Sequence, residues 1–329
     1  MAFAVGIGLT NECNLTCPHC YRPDTVISRL TREDMTRICE SIPVRSINLG
    51  VGENGLHPDF HVILADLERR SITTSITSNG LSLQVLCDEE LKRFHSVEIS
   101  LDFPTRQEHD TLRGEGNWRA VIKTLERCSG LGLNVTVTSV MMNVNSKKLP
   151  ALAKLAASLG AYLRVNVYQP SKSNYFTLSY HEFWDGFKRL LGSARLAATT
   201  EPVLAGVLGL DGFVGPACGR STIRVAPDGR VLPCTYWPSS RLTLDDLYRQ
   251  REQIIDAEEF QQARTVPAAC RGCPCGGGCA GRRALVSLHD PDPYCPFARG
   301  DKIAIDWERA GAEDLPKAGS ACTTIVSAR

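Results

Sequence analysis

Residues 1–200 show two hydrophobic periods that alternate along the chain. Short apolar, β-rich runs are separated by stretches in which apolar residues recur at helical spacing. The strand candidates are Phe3–Leu9, Ser46–Leu49, Thr73–Thr77, Val97–Leu101, Asn134–Met141 and Tyr162–Val167. The helix candidates are Arg32–Ser41, Pro58–Arg69, Glu89–Phe94, Trp118–Leu131, Lys148–Leu159 and Tyr180–Leu191. These six β/α units predict a parallel sheet with outer helices, and they are too few to close a standard eight-stranded barrel.

The pattern changes after about Glu201. Gly and Pro become more frequent, and seven cysteines fall between Cys218 and Cys295. A segment this small and irregular does not supply a full hydrophobic core, and bound metal can take the place of one. We therefore expect a domain over residues 1–200, a cysteine-rich domain over 201–300 and a tail over 301–329. The stretch Ala310–Arg329 is rich in Ala, Gly, Ser and Thr, and we expect it to be poorly ordered.

Composition narrows the possible partners and the compartment. The 329 residues are 43% hydrophobic and 22% charged with a formal net charge of +1, so neither a nucleic acid nor an anionic membrane surface is expected as a partner. No apolar run approaches about 20 residues, and Met1–Leu9 is too short for a signal peptide, which predicts a cytoplasmic protein. In that compartment the 14 cysteines favour metal or cluster ligation over disulfides.

Three of these cysteines, Cys13, Cys17 and Cys20, follow the first strand candidate with the spacing C-x3-C-x2-C. A [4Fe–4S] cube normally takes four thiolates, so three closely spaced cysteines leave one iron open to another ligand. A loop at the carboxyl end of a strand is also where α/β proteins place their chemistry. The structural alternatives are three buried thiols or a zinc knuckle.

The motif resembles the signature of the radical S-adenosylmethionine (SAM) superfamily. The resemblance implies a partial (β/α)6 barrel, open on one side, in which SAM chelates the open iron of a [4Fe–4S] cluster. It also implies an electron donor such as flavodoxin or ferredoxin. Reduction of the cluster would cleave SAM to a 5′-deoxyadenosyl radical, which abstracts hydrogen from a substrate.

The loops after later strands resemble SAM-binding segments of that superfamily. Gly50-Val51-Gly52-Glu53-Asn54 is similar to its Gly-Gly-Glu-Pro loop, with Val51 in place of the first Gly and Asn54 in place of the Pro. The candidate SAM-binding residues are Gly52, Glu53, Asn54, Asn79, Ser100, Asp102, Arg113 and Asn166. The guanidinium of Arg113 suits the methionine carboxylate. Plain βα turns, local caps and a solvated arginine are the alternatives.

A second group of cysteines lies beyond the change in composition. Cys218 and Cys234 flank a Pro-Asp-Gly turn that predicts a hairpin, and Cys270-x2-Cys273-x-Cys275-x3-Cys279 and Cys295 follow. This run resembles the SPASM domain, a C-terminal extension of many radical SAM enzymes that carries auxiliary [4Fe–4S] clusters. A loop between Cys273 and Cys275 is deleted relative to the family pattern.

The SPASM resemblance implies two auxiliary ligand sets. One consists of Cys270, Cys273, Cys275 and Cys295. The other consists of Cys218, Cys234 and Cys279, and its fourth ligand stays open between substrate, water and an unassigned cysteine. A single cluster on Cys218, Cys234, Cys270 and Cys273, or a zinc site, is the alternative.

The reaction is less constrained than the cofactors. The SAM loop, the stretch Asn166–Pro170 and the short SPASM loop together resemble the cytosylglucuronate decarboxylases of nucleoside-antibiotic biosynthesis. This predicts a small polar substrate, such as a sugar, aminocyclitol or nucleoside, that loses carbon dioxide from a uronic carboxylate. Lys172, Arg164 and Arg220 are the candidate carboxylate ligands. The alternatives are a dehydrogenase or epimerase of aminoglycoside-type sugars, a peptide-modifying SPASM maturase, and a non-catalytic iron–sulfur electron carrier or zinc protein.

Overall fold

A computed structural model describes residues 2–22, 26–210, 218–311 and 322–328. The strands of these residues are β1 Phe3–Ile7, β2 Val44–Leu49, β3 Thr73–Ser78, β4 Ser96–Ser100, β5 Val135–Met141, β6 Tyr162–Val167, β7 Ala194–Thr199, β8 Thr222–Val225, β9 Val231–Leu232 and β10 Thr323–Ala328. They form one sheet in the order β7-β10-β6-β5-β4-β3-β2-β1-β8-β9. Strands β1 to β6 pair in parallel in chain order, and the sheet is not closed. The predicted partial barrel is therefore confirmed.

Helices connect the strands and continue into the cysteine-rich region. They are α1 Arg32–Ser41, α2 Phe60–Arg69, α3 Leu81–Gln84, α4 Asp88–Leu91, α5 Arg106–Arg113, α6 Asn117–Gly130, α7 Leu149–Ser158, α8 Tyr180–Ser193, α9 Pro202–Val207, α10 Leu244–Gln250, α11 Glu258–Arg264, α12 Ala280–Ala284 and α13 Pro296–Arg299. Short 3-10 helices occupy Asn54–Leu56, Ser146–Lys148, Arg251–Asp256 and Ala268–Cys270.

Local sequence explains why the first helix begins where it does. The hydroxyl of Thr31 accepts a hydrogen bond from the amide of Asp34 at 3.0 Å, and the Asp34 carboxylate accepts one from the amide of Thr31 at 2.9 Å. This capping box satisfies two amides that the first turn would otherwise leave without a partner. Met35 and Ile38 of α1 are buried, so the apolar side of the helix packs into the core. Capping and burial thus place α1 as the hydrophobic period predicts.

The short helices are where prediction and structure differ. The predicted helix Glu89–Phe94 is the single turn α4, and neither α3 nor α5 is predicted. Helix α5, with the sequence RQEHDTLR, contains almost no apolar residues. A hydrophobic period cannot reveal a helix of this kind, because its sequence has no apolar stripe to detect.

Both edges of the barrel sheet are extended by strands from later in the chain. Strand β8 pairs in parallel with β1 and forms an antiparallel hairpin with β9, as the Pro-Asp-Gly turn predicts. Strand β10 lies between β6 and β7 and is antiparallel to both. The prediction of a poorly ordered tail is therefore wrong for residues 322–328, while residues 312–321 lie outside the described part of the chain. The short β-branched run Thr323–Val326 was the signal for this strand. The division into three domains stays a prediction.

Candidate functional site

The loop after β1 carries Cys13, Cys17 and Cys20 and forms one wall of a cavity of about 200 Å³. Residues at the carboxyl ends of β2 to β6 form much of the remaining wall, including Asn48, Ser78, Ser100, Val140 and Asn166. Parallel strands direct their carboxyl ends to one edge, so residues far apart in sequence meet there. The three thiols are free and half-buried. The predicted triad therefore faces a cavity at the mouth of the barrel.

Hydrogen bonds to backbone carbonyl groups hold the cysteine loop in shape. The guanidinium of Arg22 donates hydrogen bonds to the carbonyl oxygens of Asn11 at 2.7 Å and Leu15 at 3.3 Å. The amide of Cys20 donates to the carbonyl of Cys17 at 3.1 Å. A charged donor strengthens such bonds, so Arg22 fixes the turn between the first and last cysteine.

The loop after β2 touches the cysteine loop through Gly52. This residue has a φ of +61°, and a Cβ atom there would lie 2.3 Å from the carbonyl oxygen of Thr10 and 2.6 Å from that of Glu12. Only glycine satisfies both the left-handed conformation and the close approach. The neighbouring Val51 has a φ of +70°, a strained conformation for a β-branched residue. The two loops predicted to hold cluster and SAM are therefore in direct backbone contact.

The side chain of Glu53 points inward and accepts hydrogen bonds from the loop that follows β3. Its side chain is 1% exposed, and its carboxylate accepts hydrogen bonds from the amides of Asn79 at 2.9 Å and Ser82 at 2.7 Å and from the hydroxyl of Ser78. The side-chain amide of Asn79 donates to the Cys13 sulfur at 3.6 Å and to Asn14 at 2.8 Å. Glu53 therefore positions Asn79, which contacts the cysteine loop.

Arg113 is a largely covered cation, with a side chain 10% exposed, rather than a solvated helix end. Its Nε lies 2.6 Å from the Asp102 carboxylate, which is fully buried and accepts a second hydrogen bond from the amide of Val140 at 2.9 Å. Burial alone would raise the pKa of Asp102, but the charge of Arg113, followed by that of His19, lowers it to about 2. The backbone carbonyl of Arg113 also accepts from the Cys17 thiol at 3.8 Å. Asp102 thus fixes Arg113 against the triad.

The eight predicted SAM-binding residues fall into two groups. Those that line the cavity are Gly52, Glu53, Asn79, Ser100, Arg113 and Asn166. The other two lie behind its wall. Asn54 is fully buried and accepts a hydrogen bond from the amide of Leu9 at 3.0 Å, and Asp102 supports Arg113. These two are placed to position the wall, because neither side chain reaches the cavity.

Sequence reasoning missed part of the wall. Tyr21, Arg224 and Tyr236 line the first cavity and also a neighbouring one of about 290 Å³. The rings of Tyr21 and Tyr236 meet edge to face with centroids 5.3 Å apart. The Nε atom of Arg224 is buried without a hydrogen-bond partner among the described residues, and burial lowers the pKa of Arg224. The only sequence signal was its place before the Pro-Asp-Gly turn.

The cations predicted to bind a substrate carboxylate are differently placed. Arg164 lines the first cavity but is buried in an ion pair with Glu98 and donates to Thr323 at 3.0 Å. Lys172 and Arg220 are exposed and line neither cavity. Arg224 and Arg22 are therefore wall cations for which the described part of the chain shows no carboxylate partner, and Arg22 is already bonded to backbone carbonyls of the cysteine loop.

The C-terminal cysteines form two groups. In the first, the sulfur atoms of Cys273, Cys275 and Cys295 all lie within 4.8 Å of one another. Cys270 is close to them: burial is the main cause of its raised pKa, and the charges of Cys295 and Cys273 raise it further. These are the four cysteines of the first predicted auxiliary set.

The second group contains one cysteine more than predicted. The thiols of Cys234 and Cys322 lie close enough to Cys218 to lower its pKa, and those of Cys218 and Cys279 raise the pKa of Cys322. A Cβ on Gly281 would lie 3.0 Å from the Cys234 sulfur and 3.8 Å from that of Cys279, so glycine leaves room for both. The predicted set of three thus becomes a set of four thiols.

A buried ion network joins this group to the end of the barrel. Arg282 is 3% exposed and lies between Glu201, to which Nη1 donates at 2.9 Å, and Asp292, which Nη2 approaches to 2.8 Å. The Asp292 carboxylate accepts a hydrogen bond from the amide of Cys279 at 2.7 Å. Asp292 therefore positions Cys279, and Arg282 fixes Asp292 relative to α9.

The triad and the two C-terminal cysteine groups all offer thiol sulfurs as metal ligands, and such ligands suit iron–sulfur clusters and zinc. Burial raises the pKa of Cys13 and raises that of Cys17 to about 11, although Arg113 opposes the second shift. Such thiols are protonated near neutral pH unless a metal cation displaces the proton. The triad therefore fits a metal cofactor better than it fits a free nucleophile, and its three thiols with one cavity side open fit a cluster with an unligated iron.

Protein-family models match both the barrel with its cysteine triad and the C-terminal cysteine region. The model of the radical SAM superfamily matches residues 7–156, and the model of the SPASM iron–sulfur cluster-binding domain matches residues 218–274. The chain is a radical SAM enzyme with a SPASM domain. Its cofactors are a SAM-binding [4Fe–4S] cluster and auxiliary clusters in the SPASM domain.

Several relatives align with both the radical SAM region and the SPASM region of the chain. The mycofactocin maturase MftC of Mycolicibacterium smegmatis is 25% identical over 92% of this radical SAM enzyme and 84% of its own chain. The PqqA peptide cyclase of Ruegeria pomeroyi is 25% identical over 87% of this chain and 85% of its own. Among solved structures, anSMEcpe with bound AdoMet has a TM-score of 0.69 at 18% identity, covering 91% of this chain and 92% of that one. Streptococcus suis SuiB bound to S-adenosylmethionine has a TM-score of 0.66 at 16% identity, covering 90% and 77%.

These comparisons also bear on the finer predictions. They support the radical SAM and SPASM resemblance but not the finer resemblance to cytosylglucuronate decarboxylases, nor a role as a lyase of antibiotic biosynthesis. Within the described part of the chain, no helix combines the length and apolar character needed to cross a membrane.

Proposed function

We propose that this radical SAM enzyme modifies a peptide by abstracting hydrogen from one of its residues. The observation that carries the proposal is the likeness to MftC, a mycofactocin maturase, over 92% of the chain and therefore through both cysteine regions. The PqqA peptide cyclase aligns over 87% of it. The names of these two relatives refer to maturation and to a peptide, which favours the peptide alternative over the small-metabolite prediction.

In this proposal Cys13, Cys17 and Cys20 hold the SAM-binding cluster. Bound SAM supplies hydrogen-atom abstraction through a 5′-deoxyadenosyl radical. Arg113 would bind the methionine carboxylate, since Asp102 leaves part of its guanidinium fork to face the cavity. Gly52 admits the close approach of the two loops, and Asn79, Ser100 and Asn166 offer polar groups at the same wall.

The auxiliary cysteines would hold two clusters. Cys270, Cys273, Cys275 and Cys295 form one ligand set, and Cys218, Cys234 and Cys279 belong to the other. Support comes from the separation of the described thiols into two groups, which a single cluster on Cys218, Cys234, Cys270 and Cys273 would not need. An external electron donor such as flavodoxin or ferredoxin would supply the reducing electron.

The second cavity is the proposed space for the reacting part of the peptide. It adjoins the first through Tyr21, Val51, Arg224, Thr235 and Tyr236, which line both. Its volume of about 290 Å³ suits one side chain rather than a folded segment. The aromatic rings would cover apolar parts of the peptide, and Arg224 would bind a carboxylate from a side chain or the C-terminus.

One observation favours a second candidate, a carboxylate-bearing sugar or nucleoside. Arg224 lines both cavities without a described anionic partner, and a uronic carboxylate fits it as well as a peptide carboxylate does. Under this candidate the reaction is the radical decarboxylation that the sequence resemblance implies.

The test is a substrate screen on anaerobically reconstituted, reduced enzyme. Synthetic peptides encoded beside the gene form one arm, and cytosylglucuronate forms the other. We expect a peptide to raise 5′-deoxyadenosine above the substrate-free level and to change in mass. Stimulation by the uronate with release of carbon dioxide, and by none of the peptides, would reject the peptide proposal in favour of the second candidate. A triad variant with Cys13, Cys17 and Cys20 changed to Ala is the control for radical-independent turnover.

A further inference from the structure

The C-terminal strand carries Cys322 to the cluster edge of the barrel. Strand β10 is antiparallel to β6, with Thr323 opposite Asn166 near the carboxyl end of β6. An antiparallel strand begins where its neighbour ends, so the residue just before β10 lies at the edge that carries the cysteine triad and the cavity. That residue is Cys322. Had β10 been parallel to β6, Cys322 would lie at the opposite end of the barrel.

The next residue along the chain is firmly held. Thr323 is fully buried, and its hydroxyl accepts a hydrogen bond from Arg164 at 3.0 Å and donates to the carbonyl of Val165 at 3.2 Å. Its amide donates to the hydroxyl of Thr200 at 3.1 Å. These contacts to β6 and to the residue after β7 fix the backbone beside Cys322, so its thiol is held in place rather than carried by a free end.

The thiol of Cys322 meets the second auxiliary group. The amide of Thr323 donates to the hydroxyl of Thr200, and the next residue, Glu201, accepts from Arg282 of the ion network that holds Cys279. Cys322 also lies beside Cys218, since each thiol shifts the pKa of the other. The other cysteines without a predicted ligand role are elsewhere: Cys39 on α1, Cys87 before α4 and Cys128 on α6. Cys322 is thus the remaining described cysteine that joins the incomplete set.

We propose that Cys322 is the fourth thiolate ligand of the auxiliary cluster held by Cys218, Cys234 and Cys279. The proposal rests on the cluster assignment of the proposed function. A [4Fe–4S] cube has four irons and takes four thiolates. Cys218, Cys234 and Cys279 supply three of them, and Cys322 from the tail would supply the fourth. The cluster is then fully ligated, so it can carry electrons but has no open iron for substrate.

The first experiment counts irons. Wild type, Cys322→Ala and the control Cys39→Ala are reconstituted anaerobically and assayed for iron and sulfide. We expect about 12 irons in wild type and the control, at four per cube, and about 8 in Cys322→Ala if the cluster needs all four ligands. If Cys322→Ala keeps all its irons, we expect added imidazole to change the electron paramagnetic resonance spectrum of its reduced auxiliary cluster. An iron count and an imidazole response equal to those of Cys39→Ala would overturn the proposal.

A second experiment uses the wild-type chain, so it does not depend on how the variant folds. The holoenzyme is alkylated with iodoacetamide before and after iron is removed anaerobically with a chelator under reducing conditions, and the peptides are mapped by mass spectrometry. Cys87, which is exposed, is the internal control and is labelled in both samples. A ligating Cys322 is labelled only after iron removal. Labelling of Cys322 in the holoenzyme, or a disulfide between Cys322 and Cys218 in the holoenzyme, contradicts the assignment. Neither readout needs a substrate, so the peptide proposal can fail while this one holds.

Discussion

The cysteine triad and the C-terminal thiols present groups of sulfur atoms in two different ways. The triad comes from one loop of eight residues, Cys13 to Cys20, and its thiols are half-buried and face an open cavity. The C-terminal thiols come from segments between Cys218 and Cys322, and most of them are buried. The triad is therefore shaped by local backbone, whereas the second auxiliary group is assembled by tertiary contacts.

This difference shows how the protein builds one site that leaves room for a further ligand and another that surrounds its metal with thiols. A short loop can supply only three thiols to one side of a cluster, which leaves the other side for a ligand such as SAM. Segments that arrive from several directions can surround a cluster. The supports differ in the same way: Arg22 hydrogen-bonds to carbonyls within its own loop, while Arg282 joins Glu201 to Asp292 across the fold.

The largest predicted effect separates the two regions chemically. With Cys13, Cys17 and Cys20 all changed to Ala, we expect 5′-deoxyadenosine formation to fall to background, because the SAM-binding cluster loses its ligands. The iron count should fall from about 12 to about 8, since the C-terminal clusters do not depend on that loop. Anaerobic SAM-cleavage assays and iron analysis measure both. Residual SAM cleavage would contradict the triad's role, and loss of all iron would contradict the independence of the regions.

The next prediction concerns a substitution in the ion network that connects the barrel to the SPASM domain. Glu201→Gln weakens the charged hydrogen bonds of buried Arg282 but leaves Asp292 to neutralise its charge, and we expect it to lower the free energy of unfolding by about 1.5–3 kcal/mol. The control is Asp185→Asn, which breaks an exposed pair with Arg189 on α8 and should cost below about 1 kcal/mol. Anaerobic urea denaturation gives both values. Equal losses in the two variants would show that the network does not join the regions.

A smaller effect is expected at the contact between the triad loop and the SAM loop. Gly52→Ala places a Cβ 2.3 Å from the carbonyl oxygen of Thr10, so the loops must separate, and we expect SAM to bind at least about tenfold more weakly, or about 1.4 kcal/mol. Gly132→Ala is the control, because Gly132 has a φ of +71° but no atom within 4 Å of the added Cβ. Equilibrium dialysis with labelled SAM compares them. If both variants bind SAM alike, the loop contact is not what shapes the site.

The smallest prediction concerns the strained residue beside Gly52. Val51→Gly relieves the left-handed conformation of a β-branched residue, which stores about 1–3 kcal/mol, and loses about 1 kcal/mol through the greater backbone freedom of glycine. We expect an unchanged or higher free energy of unfolding, by up to about 2 kcal/mol. Val85→Gly is the control, since Val85 is exposed with a φ of −81°, and it should only destabilise. A thermal-unfolding loss as large as that of Val85→Gly would argue against strain at Val51.

Local patterns determined much of this molecule. The hydrophobic period predicted β1 to β6 and most of their helices, because half-buried strands and helices must present an apolar face to one core. The cysteine spacing predicted the triad, because ligands to one cluster side can come from a single short loop. The Pro-Asp-Gly turn predicted the hairpin of β8 and β9 for a similarly local reason.

Pairings between distant segments were decided by the tertiary structure alone. Nothing near Glu201 or Asp292 in sequence indicates that Arg282 lies between them, and Arg224 became a cavity residue only through the pairing of β8 with β1. Cys322 shows this most directly. A lone cysteine in a polar tail has no spacing to interpret, and only the antiparallel insertion of β10 between β6 and β7 brings it to Cys218 and Cys279. Spacing encodes sites made from one loop, while sites made from several segments depend on strand direction and register, which a local pattern does not contain.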